Sequence, residues 1–148
     1  MVIEMKYKNI YFKEIGYKDP WSATVFDNKW DKNRRKKWHN QRKKQGKFDS
    51  RCAWNLDTFM AESIYTWLNI YKDDATNFVK LDFYKFKISL DNKTTEKTEI
   101  EWINDCLLYI KEYLLSIDSC DYEIEKKGIQ SMKKAFIILS EIFPTLWW

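Results

Sequence analysis

Between Leu56 and Tyr71, large apolar residues recur at Leu56, Phe59, Met60, Ile64, Trp67, Leu68 and Tyr71. These i, i+3, i+4, i+7 steps align side chains on one face of a 3.6-residue helix. Asn55 is placed as its N-cap, and Trp54 is placed to staple onto Phe59. A second stripe runs through Ile100, Ile103, Leu107, Ile110, Leu114 and Ile117, broadened by Cys106 and Tyr113. Thr98-x-x-Glu101 gives this second helix a capping box, and the polar run 116–119 predicts its break. A third helix is predicted from Asp121 to Phe143, with the stripe Ile129, Met132, Phe136, Leu139 and Phe143 flanked by Ala135 and Ile142. Pro144 stops it. Leu146, Trp147 and Trp148 remain as an aromatic tail, expected to fold back onto the core or a partner.

Period-two patterning is weaker and occurs twice. Residues 5–12 alternate only partially, which predicts a short strand or extended arm before a turn at Asp19-Pro20. Phe86, Ile88 and Leu90 alternate with Lys85, Lys87 and Ser89, which predicts a strand or short hairpin arm over about 78–90, free to pair with the N-terminal segment. The resulting fold class is mainly α. A three-helix core carries a short strand pair or extended β arm and a basic N-terminal segment. One domain spans residues 1–148, with 1–47 as the basic aromatic arm and 48–148 as the helical core. Its 148 residues suffice for one sizeable core.

Charge changes this picture. Residues 1–51 hold 15 Lys and Arg against 6 Asp and Glu, while the remainder holds 11 against 16, so a basic arm precedes an acidic body. That asymmetry points to an anionic partner or to a second copy docking head to body. Within the basic stretch, Asn28 or Asp31 is placed to cap a helix and Gly46 to end it. Trp30 and Trp38 stand eight apart and so share a face. The candidate binding surface comprises Trp30, Arg34, Arg35, Lys36, Lys37, Trp38, Arg42, Lys43 and Lys44, with Lys32 beside them. Its cations would contact phosphates and its two Trp rings would stack on bases. Arg51, just before the predicted Asn55 cap, is a further candidate, either clamping an anion or pairing with Asp57. The bland alternative is a solvated basic helix tacked to the core by two Trp.

Catalytic and metal chemistry find little support. Cys52, Cys106 and Cys120 are odd in number and lack CxxC or His/Cys spacing, which argues against a disulfide framework and against zinc. His39 is the only histidine, and a Cys52–His39 pair has no further signature. Asp49, Asp57 and Glu62 are the carboxylates that a metal-dependent nuclease would use, although Asp57 fits a first-turn dipole role and Glu62 a solvent-facing position. There is no glycine-rich phosphate loop and no nucleophile elbow. The expectation is therefore no catalytic residue, no metal and no cofactor. No signal-peptide pattern and no apolar run near 18 residues are visible, so a soluble protein in the cytoplasm is expected, with no membrane partner. The aromatic share of 18% is read chiefly as core filling.

Arg51-Cys52-Ala53-Trp54-Asn55-Leu56-Asp57, Glu101-Trp102 opening a later helix, and Phe136 to Trp148 ending in Leu-Trp-Trp together resemble a group of small bacteriophage proteins. Members of that group carry Arg-Asp-x-Trp-Ser/Asn-Leu-Asp and close on a Leu-Trp tail. The resemblance covers residues 38–148. This chain departs from it at Cys52, where the pattern has Asp, and in a longer 73–97 connection. The resemblance implies a phage origin, with the host cytoplasm as site of action, and no particular reaction. It leads to a non-enzymatic protein that antagonises host defence by binding a nucleic acid, a nucleotide signal or an immune-effector protein. A virion structural or assembly accessory that forms homo-oligomers, and a metal-dependent nuclease, are the alternatives.

Overall fold

The computed structural model describes residues 9–22, 31–46, 48–75 and 83–146. Trp30, the predicted strand residues before Asn9, residues 76–82 and the Trp147-Trp148 tail lie outside them. The chain divides into two compact units, Met1–Ser63 and Ile64–Trp148. The elements are α1 (Ile10–Ile15), α2 (Lys32–Lys44), α3 (Arg51–Trp54), α4 (Leu56–Ala75), β1 (Lys85–Leu90), β2 (Lys93–Thr98), α5 (Glu99–Ser119) and α6 (Tyr122–Ile142), closed by a 3-10 turn at Phe143–Thr145. The chain is mainly α with one antiparallel strand pair, as its patterning predicts.

In the first unit, residues 10–15 are helical rather than extended. Asn9 accepts from the amides of Tyr11 and Phe12, and Gly16 terminates the helix at a φ of 74°. Tyr17 N donates to Phe12 O and Gly16 N to Lys13 O, the paired bonds that close a helix on a left-handed residue. The Phe12 and Tyr17 rings meet edge to face at 5.3 Å. Cap chemistry thus outweighs a partial alternation. Further on, α4 carries residues of both units. Here the sequence stripe is only partly buried: Leu68 is buried and Phe59, Ile64 and Tyr71 are half-buried, but Leu56, Met60 and Trp67 are exposed, and Ala61, Tyr65 and Ala75 complete the buried face. Glu62, expected toward solvent, is buried because the amides of Trp21 and Ser22 donate to it at 3.0 and 3.2 Å, and Ser22 Oγ donates at 3.0 Å. Asn69 is buried with its amide donating to Tyr65 O. Polar residues with internal partners can line a core, which a count of apolar residues does not register. Asn55 closes α3 and precedes α4, its carbonyl accepting from Phe59 N at 2.8 Å.

The second unit is built on the antiparallel helices α5 and α6. Trp102, Ile103, Cys106, Leu107, Ile110, Tyr113 and Leu114 are buried along α5, close to the expected stripe. Thr98 caps it, accepting from Glu101 N and donating its hydroxyl to the Glu101 carboxylate at 2.9 Å. The helix does not break at 116–119, because the Ser116 and Ser119 hydroxyls bond back to carbonyls three residues earlier. It stops at Cys120, which takes a left-handed φ of 52°. Asp121 then caps α6 through the amides of Glu123 and Ile124. α6 is turned about one position from expectation. Gly128, Met132, Ala135, Ile138 and Ile142 face inward, while Ile129, Phe136 and Phe143 stay exposed. Close approach of the two helices decides this. A Cβ placed on Gly128 would lie 2.1 Å from Ser116 Oγ and 2.6 Å from its Cβ, so glycine is what fits opposite Ser116.

The strand pair is a hairpin between β1 and β2, in register from Lys85↔Thr98 to Leu90↔Lys93. Asp91 and Asn92 form its two-residue turn at φ values of 51° and 62°, the paired positive-φ geometry that matches strand twist. β1 therefore pairs with the segment that follows it, and the proposed pairing with the N-terminal segment is absent among the described residues. Phe86, Ile88 and Leu90 face inward as their alternation predicts. Trp102 Nε1 donates to Phe86 O at 2.9 Å, and Lys134 of α6 reaches Asp91 at the turn at 2.8 Å while lying over the Tyr109 ring. The Asp91 carboxylate also holds the Lys134 ammonium above the usual lysine range.

The helix seam yields a direct test. Gly128→Ala gains helix propensity of about 1 kcal/mol yet forces atoms into Ser116, and overpacking of this kind costs about 1–3 kcal/mol. Urea unfolding followed by far-ultraviolet circular dichroism is expected to show net destabilisation. A stabilised variant would refute the close approach.

Candidate anion-binding surface

The basic stretch forms α2, as its sequence predicts, with Asp31 as N-cap accepting from Arg34 N at 2.9 Å. Gly46 follows the last turn at a φ of 61°. Ten of the thirteen residues are exposed, Gln41 and Arg42 are half-buried, and Trp38 alone is buried. One Trp therefore anchors the described helix.

Below that Trp sits a buried charge cluster centred on Asp49. Its Oδ1 accepts from Arg51 N at 3.0 Å and Arg51 Nε at 3.1 Å, and its Oδ2 accepts from Arg51 Nη2 at 2.9 Å and Arg42 Nη1 at 2.7 Å. Burial alone pushes the Asp49 carboxyl up, but the hydrogen bonds from Arg51 and Arg42 outweigh it and hold the group below the usual carboxylate range. The Arg51 guanidinium lies 4.3 Å above the Trp38 ring, and Trp54 meets Trp38 edge to face at 5.7 Å. Gln41 adds a second clasp, its carbonyl accepting from Ser50 N at 3.0 Å and its amide donating to Ser50 Oγ at 2.8 Å.

The predicted site residues consequently separate. Arg51 is 5% exposed and paired with Asp49, so a structural ion pair is the arrangement found. Trp38 is 3% exposed beneath that guanidinium and offers no free face for stacking on a base. Trp54 packs on Trp38. Arg42 is shared between the helix surface and Asp49. Arg34 pairs with Asp31 at 3.3 Å in an exposed bridge, which contributes little to stability. Arg35, Lys36, Lys37, Lys43 and Lys44 remain solvent-exposed, as do Lys32 and His39.

Along α2 an open concavity of about 430 Å³ is lined by Asn33, Lys36, Lys37, Asn40, Gln41, Lys44 and Gln45. Its lining residues are lysines, asparagines and glutamines, with their methylene stems contributing much of the surface, and no Asp or Glu is among them. Its chemistry is that of hydrogen-bond donation to phosphate or carboxylate oxygens. Pattern reading missed the amides at 33, 40, 41 and 45, since only the cations stand out from a solvated helix. It also missed Asp49 as the organiser, although a lone acid two residues before Arg51 in a basic run is the available signal.

Other chemistry has little material. Among the described residues no group of three or more His, Cys, Asp or Glu could hold a metal ion. Asp49 and Glu62 are buried with donors, and Asp57 lies in the first turn of α4. Burial, with the charge of Asp105 adding to it, pushes the Cys106 thiol up to about 12, far from a reactive thiolate. No helix of the described residues is long and apolar enough to cross a membrane. Comparison with protein-family models, curated proteins and solved structures finds no match.

Removing one member of a buried ion pair costs about 3–5 kcal/mol, so Asp49→Ala is expected to lose that much in urea unfolding followed by tryptophan fluorescence. A joint Asp49→Leu, Arg51→Met replacement is expected to lose less than Asp49→Ala alone. The sign with pH follows from the lowered pKa. The Asp49 contribution is complete above the unfolded value of about 3.9 and disappears as pH falls through the lower folded value. Asp49→Asn should flatten the stability profile in that acid window, and an unchanged profile would show that Asp49 does not carry it.

Proposed function

We propose that this chain is a binding protein rather than a catalyst, and that it engages an anionic partner through the exposed cations of α2. The partner is a nucleic acid, a nucleotide signal or the acidic surface of an immune effector. In this reading the protein serves a bacteriophage inside its host as an antagonist of defence. One observation carries the binding reading: a carboxylate-free, amide- and lysine-lined face on a helix otherwise exposed on most of its circumference. The cytoplasmic phage setting rests on the resemblance of residues 38–148, with Arg51 and Trp54 of that motif serving here to seat α2 through Asp49 and Trp38.

Titration of the intact chain with heparin is expected to saturate and to weaken steeply with salt. Lys36→Gln, Lys37→Gln, Lys44→Gln in one variant should weaken binding at least tenfold without changing the circular dichroism spectrum. Expression of the wild-type chain in a defence-bearing bacterium should restore phage plating, and the triple variant should not. Heparin affinity equal in both proteins would remove α2 as the surface. Loss of binding without loss of plating rescue would separate the surface from the antagonism.

A further inference from the structure

We infer that the occupant of this surface is double-stranded DNA, with α2 lying in the major groove. The inference rests on the anion-binding reading and narrows it. Trp38 marks the inward direction of α2, and the 100° step per residue of a 3.6-residue helix then places every other side chain around the axis. Lys36 and Asn40 point directly away from Trp38, with Asn33 and Lys43 beside them. Lys32 and Arg35 occupy one flank, and Lys37 and Lys44 occupy the other. All eight of these residues are exposed.

This distribution has the form a groove requires. The major groove of B-form DNA, about 12 Å wide, admits one α-helix. An inserted helix presents its outermost strip to base edges and both flanks to the phosphates on the two walls. One flank carries Lys32 and Arg35 with His39 between them, the other Lys37 and Lys44; these are donors suited to phosphates, and no carboxylate stands on either flank. The outer strip mixes Lys36 and Lys43 with Asn33 and Asn40. Lysine ammonium groups donate to guanine O6 and N7, and a carboxamide matches the N6 and N7 edge of adenine. At 1.5 Å per residue, the thirteen residues of α2 span about 20 Å, enough to follow the groove across several base pairs. Single strands are disfavoured because they need stacking platforms, and Trp38 is covered by Arg51 and Trp54. A-form RNA is disfavoured because its major groove is too deep and narrow for side chains to read.

The test compares a 20-base-pair DNA duplex, the RNA duplex of the same sequence, each single strand and heparin, by fluorescence anisotropy with the full chain across a salt series. The DNA duplex is expected to bind at least tenfold tighter than duplex RNA or either single strand. Lys32→Gln, Arg35→Gln and, separately, Lys37→Gln, Lys44→Gln should each reduce the slope of log affinity against log salt by about 2. Asn40→Ala should change preference among duplex sequences while leaving that slope intact. Equal or tighter binding of RNA or single strands, or a slope indifferent to either flank, overturns the inference. Heparin binding without DNA binding overturns it as well, and returns the surface to an acidic protein partner. Failure of both heparin and DNA removes the anion-binding reading itself.

Discussion

One buried carboxylate determines what the basic helix can do. Asp49 takes donors from Arg51 and Arg42 on both oxygens, and in doing so draws the Arg51 guanidinium over Trp38. The cluster consumes two cations and one aromatic ring that would otherwise belong to a binding surface. It also fixes the inward side of α2, and therefore the outward side. A buried ion pair of this kind is weak evidence for stability, because desolvation offsets most of the Coulombic gain. Its consequence here is orientational: together with the ring of Trp38 and the Gln41–Ser50 clasp, Asp49 holds the rotation of α2.

The second unit reaches definition by different means. Its main constraint is the close approach of α5 and α6 at Gly128 and Ser116, extended by the Cys106 thiol directed at Ala135 O at 3.6 Å. Small residues let the backbones approach and bring dispersion contacts along both helices. The hairpin is then tied down by polar contacts that each join two elements. Trp102 reaches Phe86 O, Lys97 pairs with Asp105, and Lys134 holds the Asp91 turn. These lock register in a two-stranded ribbon, which is marginal alone.

The same distinction explains what was legible in the sequence. The caps Asp31 and Thr98 and the stop at Pro144 read well, since they act on their own chain neighbours, whereas the expected break at 116–119 did not occur. The stripe of α5 read well too, its apolar residues falling on one side. The buried faces of α4 and α6 were legible only in part, at Leu68, Met132, Ala135 and Ile142, because an aromatic-rich sequence places large apolar residues on more than one side. The choice is made by Ala61, Gly128 and Ala135, which are small, and by Glu62, whose partners lie forty residues away in sequence. At the candidate surface, the exposed cations were legible as composition. The withdrawal of Arg51, Arg42 and Trp38 was not, since it depends on a carboxylate seven residues from Arg42 with no periodic relation to it.

The energetics of α2 alone argue that its charge is not there for stability. Lys32–Arg35, Lys32–Lys36 and Arg34–Lys37 place like charges three or four residues apart, each pair costing about 0.2–0.5 kcal/mol before screening. Lys32 also stands in the first turn, where the macrodipole disfavours a cation; Asp31 offsets that at the N-cap, while Arg42, Lys43 and Lys44 at the other end are favourably placed. The net is a helix that repels itself along its exposed length and is anchored through Trp38, Arg42 and Gln41. Half the lysines exchanged for glutamate would make a more stable solvated helix. A polyanion lying against α2 would remove the same repulsion and release its own condensed counterions, so the arrangement that is unfavourable in the free chain would become favourable in the complex proposed above.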